Sequence, residues 1–210
     1  MIDLYTWTTP NGRKISIALE EMGLEYQTHL IDIRKGDQHA PDFLKISPNN
    51  KLPALVDGDI SVFESGAILI YLTEKTGLFA APKGSQQYWD MMSWLMWQKS
   101  GFGPMLGQTH HFLTYHEGQS DFAAAHFTKE TARLYTVLDR QLSDHEFIID
   151  QLTIADIAIF PWVARFDRQH VDVSQYPHVH RWYNMLAKRP AFIKGYAQPI
   201  KVEEIPVIDG

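Results

Sequence analysis

The chain contains no cysteine among its 210 residues. Without that side chain the polypeptide can form no disulfide, no thiolate metal site and no cysteine nucleophile. Any thiol chemistry that the protein performs must therefore use a thiol that another molecule supplies.

Positive charge and long apolar runs are also scarce. The 19 basic residues are outnumbered by 25 acidic ones, and the formal net charge of −6 offers no basic footprint for a nucleic acid. The longest apolar stretches are interrupted by Glu64, Asp156 and Pro161, and Asp3 lies where a signal peptide carries positive residues. We therefore expect a cytoplasmic protein with no nucleic-acid or membrane partner.

The first 80 residues alternate short strand-like runs with helical patterns. In chain order these are strand, helix, strand, short helix, two strands and a helix, over residues 2–6, 13–22, 27–33, 41–44, 54–56, 60–63 and 65–74. Asp57-Gly58 between the last two strands is a strong hairpin signal. A right-handed crossover followed by a hairpin predicts a mixed four-stranded sheet with helices packed on it.

Beyond this region the pattern becomes entirely helical. Helical periodicity covers residues 87–98, 121–142, 153–167, 177–188 and 191–196. Thr153 and Asp156 have the spacing of an N-terminal capping motif, and Pro161 predicts a kink or a split in the helix that follows. The sequence thus predicts a βαβ-ββα domain over 1–80, a linker over 81–86 and an all-helical domain over 87–210.

Several motifs resemble those of a known superfamily. Residues 50–55 (NKLPAL) and 63–68 (FESGAI) together resemble the glutathione-site signature of the cytosolic glutathione transferases. Segments 9–12, 46–51, 74–79 and 103–108 are similar to the bacterial Nu class, whose members reduce disulfides with glutathione. The resemblance implies a thioredoxin-like N-terminal domain, a helical C-terminal domain and a homodimer.

Leu52-Pro53 lies just before a predicted strand. Proline cannot donate to a sheet ladder, and a cis bond there, as in thioredoxin-like folds, would turn the Leu52 N–H and C=O outward. Glutathione, an extended peptide, would then pair with Leu52 as an added strand. Taken alone, Leu-Pro favours a plain tight turn, because few X–Pro bonds are cis, and only the resemblance of the surrounding motifs favours structural cis-Pro53.

Glu64 and Ser65 lie where a strand passes into a helix. We expect Ser65 to be the N-cap, so that the helix terminus receives the γ-glutamyl carboxylate of glutathione while Glu64 contacts its ammonium group. A lone serine at this position is also an ordinary cap. Lys51 offers a charge for the glycyl carboxylate, and the resemblance implies that Gln38 and Asn50 are polar neighbours.

A bound thiol must be activated as the thiolate. Lowering a thiol pKa of ~8.5 by about two units requires roughly 2.7 kcal/mol, which one hydrogen-bond donor at a helix N-terminus supplies. By resemblance the donor follows the first strand, and we expect it to be the Thr9 hydroxyl together with the Asn11 side chain or backbone N–H. Thr9 is alternatively a simple N-cap before Pro10, and Tyr5 is a rival donor that strand alternation could equally bury.

Disulfide reduction without a protein cysteine requires two molecules of glutathione, one to attack the substrate and one to resolve the mixed disulfide. Arg133 matches a Nu-class position and is a candidate for the second glutathione, although a salt-bridged surface arginine fits the sequence as well. We expect no metal, because the adjacent His110 and His111 point about 100° apart on a helix and no acid completes a tetrahedral set.

These observations predict a glutathione-dependent disulfide reductase. Glutathione would be its co-substrate, bound as one or two molecules per subunit or as the disulfide. One alternative is a transferase that conjugates electrophiles or reduces organic peroxides. Another is a binding or regulatory module that keeps the fold without catalysis.

Overall fold

The sheet is mixed and contains four strands in this computed structural model, which describes residues 1–208. The strands are β1 (Ile2–Thr6), β2 (Tyr26–Leu30), β3 (Ala54–Asp57) and β4 (Ile60–Phe63), in the spatial order β2-β1-β3-β4. β1 runs parallel to β2 and antiparallel to β3, and β3 and β4 form the hairpin. The predicted mixed four-stranded sheet is therefore confirmed.

Strand β2 ends earlier than the alternating pattern suggested. The pattern predicted a strand to residue 33, whereas β2 ends at Leu30. Asp32 turns the chain there, because its Oδ1 accepts from the backbone N–H of Arg34 at 3.0 Å and its carbonyl accepts from the N–H of Lys35. A side chain that bonds its own backbone two residues on favours a turn over a strand.

The helices beside the sheet are α1 (Pro10–Glu21), α2 (Pro41–Ile46) and α3 (Ser65–Thr76). α1 starts three residues before its apolar pattern because Thr9 caps it and Pro10 occupies the first helical position. α3 ends at Thr76 and is capped by Gly77, whose φ of 71° is the left-handed conformation that glycine adopts without penalty.

The rest of the chain is helical. Its α-helices are α4 (Gln86–Trp97), α5 (Gly103–His110), α6 (Asp121–Ser143), α7 (Ile154–Val163), α8 (Pro177–Ala187) and α9 (Pro190–Tyr196). π-helical turns at Gln98–Phe102 and His111–Tyr115 follow α4 and α5. Among the described residues, no helix has both the length and the apolar character needed to cross a membrane.

The predicted capping motif at the start of α7 is confirmed. The Asp156 carboxylate is buried and accepts from the Thr153 N–H at 2.9 Å, the Thr153 hydroxyl at 3.2 Å, the Ile148 N–H at 2.9 Å and Trp182 Nε1 at 2.9 Å. Burial raises the pKa of Asp156 to about 6, and the four donors oppose that rise. Contrary to one expectation, α7 is not split at Pro161 but continues to Val163.

Contacts divide the chain into two compact units. The first joins Met1–Phe79 to Lys188–Ile205, and the second joins Ala80–Ala187 to the residues from Pro206. α9 thus packs in the sheet unit, whereas the sequence placed all of 87–210 in the helical domain. The physical reason is a close match between α9 and α1, since a Cβ on Gly195 would lie only 2.5 Å from the Ile17 Cα. Periodicity identifies a helix but does not identify the surface that it covers.

Candidate functional site

Sheet register collects most of the candidate residues at one end of the first unit. β1 and β2 end side by side at Thr6 and Leu30, β3 begins with Ala54 opposite Tyr5, and β4 ends with Phe63 opposite Ala54. The segments that follow β1, β2 and β4 and the segment that precedes β3 therefore leave the sheet at the same end. These segments carry Thr9, Asn11, Gln38, Asn50, Lys51, Leu52, Glu64 and Ser65.

Thr9 is the N-cap of α1. Its backbone is extended (φ −94°, ψ 156°), and its hydroxyl oxygen accepts from the Gly12 N–H at 3.2 Å. A hydroxyl has two lone pairs and one hydrogen, so capping uses the oxygen without using the O–H donor. Capping and donation to an anion at the helix terminus are therefore compatible roles for Thr9.

Asn11 occupies the second position of α1 and is half-buried. The residue after it must be glycine, because a Cβ on Gly12 would lie 2.4 Å from the Trp7 carbonyl oxygen and 2.4 Å from Thr6 Oγ1. This close packing holds the first turn against the end of β1. The backbone N–H groups of a first helical turn have no intrahelical acceptor. They form the positive end of the helix dipole, where a thiolate is stabilised.

Leu52-Pro53 is cis, as expected for this segment. The chain before it is held by the Ser47 hydroxyl, which donates to the Lys51 carbonyl at 2.8 Å, and by the Asn50 N–H, which donates to the Ser47 carbonyl at 2.9 Å. No hydrogen bond between described residues uses the backbone N–H or C=O of Leu52. An unpaired backbone at this point is what an added peptide strand requires.

His39 was missed by the sequence reasoning and links two of the candidates. The Asn50 Nδ2 lies 3.1 Å from His39 Nδ1, and the Gln38 Nε2 lies 3.3 Å from His39 Nε2. The Gln38 Oε1 is buried and has no hydrogen-bond partner within residues 1–208. A buried acceptor without a donor favours a ligand that supplies one. Only the polar run Asp37-Gln38-His39 marked this segment in the sequence.

Glu64 and Ser65 differ in detail from the prediction. The expectation that Ser65 is the N-cap is wrong, because Glu64 holds that position without a side-chain cap bond and Ser65 is the first residue of α3. Glu64 has φ 72° and ψ 118°, a conformation that is strained for a residue with a side chain. Such strain persists only where the surrounding structure enforces it, and it is found most often at ligand sites.

Tyr5 lies on the face of the sheet. Its ring stacks on His29 with a centroid separation of 4.6 Å and lies 6.3 Å from the Phe43 ring. The imidazole of His29 in turn contacts Asp3, with 2.7 Å between Nε2 and Oδ1. These contacts favour a packing role for Tyr5 and leave Thr9 and Asn11 as the candidates at the start of α1.

Arg34 is a second residue that the sequence reasoning missed. Its guanidinium forks onto Asp32, with Nε to Oδ1 at 3.0 Å and Nη2 to Oδ2 at 2.9 Å, and lowers the pKa of that carboxyl. The same guanidinium lies over the Trp7 ring, 4.9 Å from its centroid. A cation thus stands beside the segment that connects β1 to α1.

Arg133 belongs to the second unit. It lies on α6, is exposed, and forks onto Glu130 with Nε to Oε2 at 2.8 Å and Nη2 to Oε1 at 2.7 Å. The salt-bridged alternative therefore has its partner in the structure. An anionic ligand of Arg133 would have to replace or share that carboxylate.

Comparison with known proteins identifies both halves of the chain. Residues 1–74 match the family described as Glutathione S-transferase, N-terminal domain, and residues 121–184 match Glutathione S-transferase, C-terminal domain. Over 199 residues the chain is 45% identical to Disulfide-bond oxidoreductase YfcG of Escherichia coli (strain K12), covering 91% of this chain and 92% of that protein.

Solved structures share the whole fold. A glutathione transferase from Pseudomonas putida, with one glutathione disulfide bound per subunit, has a TM-score of 0.89 and 38% identity, covering 94% of this chain and 91% of that one. A glutathione transferase from Burkholderia graminis, with two glutathione molecules bound per subunit, has a TM-score of 0.88 and 37% identity, covering 94% and 88%. The thioredoxin-like and helical architecture expected from the sequence is therefore confirmed.

Proposed function

The chain belongs to the glutathione S-transferase family, and on that basis we propose that it is a glutathione-dependent disulfide-bond oxidoreductase. The observation that carries this proposal is that a chain without cysteine is 45% identical to Disulfide-bond oxidoreductase YfcG. A cysteine-free protein that reduces disulfides by thiol–disulfide exchange must use a thiol from another molecule. Glutathione or its disulfide is bound in the similar solved structures.

The proposed reaction is two successive thiol–disulfide exchanges. A bound glutathione thiolate attacks one sulfur of the substrate disulfide, so that a glutathione–substrate S–S bond forms and the departing sulfur leaves as a thiolate that takes up a proton. A second glutathione thiolate then attacks the glutathione sulfur of the mixed disulfide and releases the other substrate thiol. Two molecules of glutathione become glutathione disulfide, and the substrate gains two electrons and two protons.

We propose the following binding roles for the candidate residues at this end of the sheet. The Leu52 backbone pairs with the tripeptide as an added strand, and the first turn of α3 at Ser65 receives its γ-glutamyl carboxylate. Glu64 accepts from the ammonium group of the same residue. At the opposite end of the tripeptide, Lys51 offers a positive charge, and the polar neighbours are Gln38, whose Oε1 is an unused buried acceptor, and Asn50.

Catalysis in this proposal takes place at the start of α1. The Thr9 hydroxyl and the Asn11 side chain or N–H donate to the sulfur and hold it as the thiolate. The helix dipole adds ~0.3–1 kcal/mol to this stabilisation, and a hydrogen bond to a charged group adds ~1.5–3 kcal/mol. Together these reach the roughly 2.7 kcal/mol that a two-unit fall in the thiol pKa demands.

Calorimetry and turnover test the proposed function together. We expect saturable binding of glutathione at millimolar ligand and glutathione-dependent reduction of 2-hydroxyethyl disulfide. Absence of binding would instead support a non-catalytic module. Binding with conjugation or peroxide reduction but without disulfide turnover would support the ordinary transferase.

Arg133→Ala tests the second glutathione. If Arg133 holds a carboxylate of the second tripeptide, its loss should weaken binding of glutathione disulfide about tenfold and binding of reduced glutathione much less. Arg140→Ala, on the exposed side of the same helix, is the matched control. Equal weakening of both ligands by Arg133→Ala would remove Arg133 from the site.

We further infer a homodimer in the cytoplasm from family resemblance. Trp89 and Met96 of α4, seven positions apart on one helix face, are 59% and 45% exposed, and such apolar side chains suit a subunit interface. Sedimentation equilibrium distinguishes a dimer from a monomer directly.

A further inference from the structure

Helices α1 and α9 touch backbone to backbone. A Cβ on Gly195 would lie 2.5 Å from the Ile17 Cα and 2.6 Å from the Ile17 N, both of them backbone atoms that cannot yield. The Ser16 hydroxyl donates to the Gly195 carbonyl at 2.7 Å in the buried interface. The C-terminal segment Lys188–Ile205 is therefore fitted to α1 at a separation that only glycine permits.

The same segment neutralises two unfavourable negative charges at the C-terminal end of α1. Glu20 and Glu21 lie in the last turn, where the helix dipole is negative and carboxylates are destabilising. Lys194 pairs with Glu20 at 2.8 Å, and Arg189 forks onto Glu21 at 2.7 and 2.8 Å. The two glutamate side chains are only 10% and 6% exposed, so these cations compensate largely buried carboxylates.

At the opposite end of α1, the segment holds a fully buried arginine. Arg13 Nη1 lies 2.8 Å from Glu203 Oε1, and its guanidinium lies over the Tyr196 ring at 3.6 Å from the centroid. The backbone N–H of the same Arg13 donates to the Thr9 carbonyl at 3.0 Å, the bond that closes the first turn of the helix. One residue thus connects the candidate thiolate-binding turn to a carboxylate 190 positions away.

We propose that Lys188–Ile205 is a positioning element for the reaction and that Glu203 is a positioning residue acting through Arg13 on Thr9 and Asn11. This inference rests on the proposed function, since it concerns the turn to which that function assigns the thiolate. Productive geometry at such a site tolerates shifts of only about 0.5 Å. Replacing the Glu203 carboxylate by an amide removes one ion pair from the buried Arg13 guanidinium, and a shift of Arg13 in response moves the turn that its N–H closes.

Glu203→Gln tests the proposal, and Glu204→Gln is its matched control. Glu204 is the next residue, is 82% exposed and, among residues 1–208, forms its ion pair with Lys201 alone. The main readout is the pKa of bound glutathione, measured from the ultraviolet absorbance of its thiolate against pH. We expect Glu203→Gln to raise that pKa by about one unit, a tenfold loss of thiolate below the pKa, and Glu204→Gln to leave it unchanged.

The sign of the change separates positioning from simple electrostatics. Removing a negative charge near the thiolate would by itself lower the thiol pKa. A fall in the pKa would therefore overturn the proposal, as would an unchanged pKa. Thr131→Val, which removes the buried bond between Thr131 and Thr109 in the second unit, controls for lost stability and should not move the pKa.

Hydrogen exchange supplies a readout that does not depend on activity. We expect Glu203→Gln to speed exchange of the Gly12 and Arg13 amides about tenfold, with no change in Glu204→Gln. If the wild type binds glutathione without reducing disulfides, the proposed function fails while the thiol pKa still decides this inference. If the wild type binds no glutathione, the exchange rates of the Gly12 and Arg13 amides still decide whether Glu203 holds the first turn of α1.

Glu203→Asp covers the case in which Glu203→Gln does not fold. It keeps the charge and shortens the side chain, so the variant should fold with a smaller rise in the thiol pKa and a smaller gain in exchange. Unchanged values in Glu203→Asp together with an unfolded Glu203→Gln would assign Glu203 a purely structural role and overturn the proposal.

Discussion

Asp156→Ala is expected to lower the free energy of unfolding by about 3–5 kcal/mol. The substitution removes an acceptor that serves the N–H groups of Ile148 and Thr153, the Thr153 hydroxyl and Trp182 Nε1, all in a fully buried cluster. Alanine leaves those donors without a partner and without access to water. Denaturant unfolding followed by tryptophan fluorescence measures the change, which is large beside a typical total of ~5–15 kcal/mol.

Asp172→Ala is the matched control for this loss. Asp172 also caps a short helical turn, accepting from the Ser174 N–H at 3.1 Å, but it is exposed. Its loss should amount to ~1 kcal/mol or less, because water replaces the lost acceptor. A loss of that size in Asp156→Ala would show that the buried cluster contributes little.

The pH dependence of the Asp156→Ala difference has a definite sign. The folded-state pKa of Asp156 is raised from 3.8 to about 6, so folding favours the protonated carboxyl over the ionised form. The extra stability that protonation adds is fully present below pH ~4 and is lost as the pH rises through about 6. The stability gap between wild type and Asp156→Ala should therefore be wider at pH ~5 than at pH ~8.

Thr9→Ala and Asn11→Ala are each expected to lower kcat/KM for glutathione-dependent disulfide reduction by about ten- to a hundred-fold, or ~1.4–2.7 kcal/mol. Each substitution removes one of the donors proposed to hold the thiolate at the first turn of α1. In Thr9→Ala the Gly12 N–H also loses the oxygen that accepts from it at 3.2 Å. Steady-state rates with 2-hydroxyethyl disulfide across a range of pH measure the effect.

Two controls separate the donor from the cap. Thr9→Ser keeps both the hydroxyl and the cap and should retain most of the activity. Ser120→Ala removes a cap of the same kind, in which the Ser120 hydroxyl accepts from the Ala123 N–H at 3.3 Å, but at the start of α6. It should lower stability without changing kcat/KM, and wild-type rates in both Thr9→Ala and Asn11→Ala would exclude the proposed donors.

Local signals were enough to predict most of the elements. β1 has its predicted bounds, because alternation over five residues and a break at Thr9-Pro10 are both short-range features. The cap at Thr153 was predictable for the same reason. Ser65 was misplaced by one position because the backbone of Glu64 at φ 72° is imposed by its surroundings, and no pattern in the sequence announces that conformation.

Longer-range features of the candidate site were less accessible. Motif resemblance indicated the segments around Thr9, Leu52 and Ser65, and the sheet register then explains why these segments leave the sheet at the same end. His39 and Arg34 escaped notice because their significance depends on partners brought together only by folding, Asn50 for the first and Trp7 for the second. The sequence carries no local mark of either contact.

The division of the sheet unit into Met1–Phe79 and Lys188–Ile205 bears on how the protein is made. A ribosome releases the first stretch long before the second, so the nascent chain carries the side of α1 around Ser16 and Ile17 uncovered while residues 80–187 are synthesised. The sheet unit thus finishes folding only after a segment more than a hundred residues further along the chain has been made. The chemistry proposed for the start of α1 therefore requires that Lys188–Ile205 has already been translated.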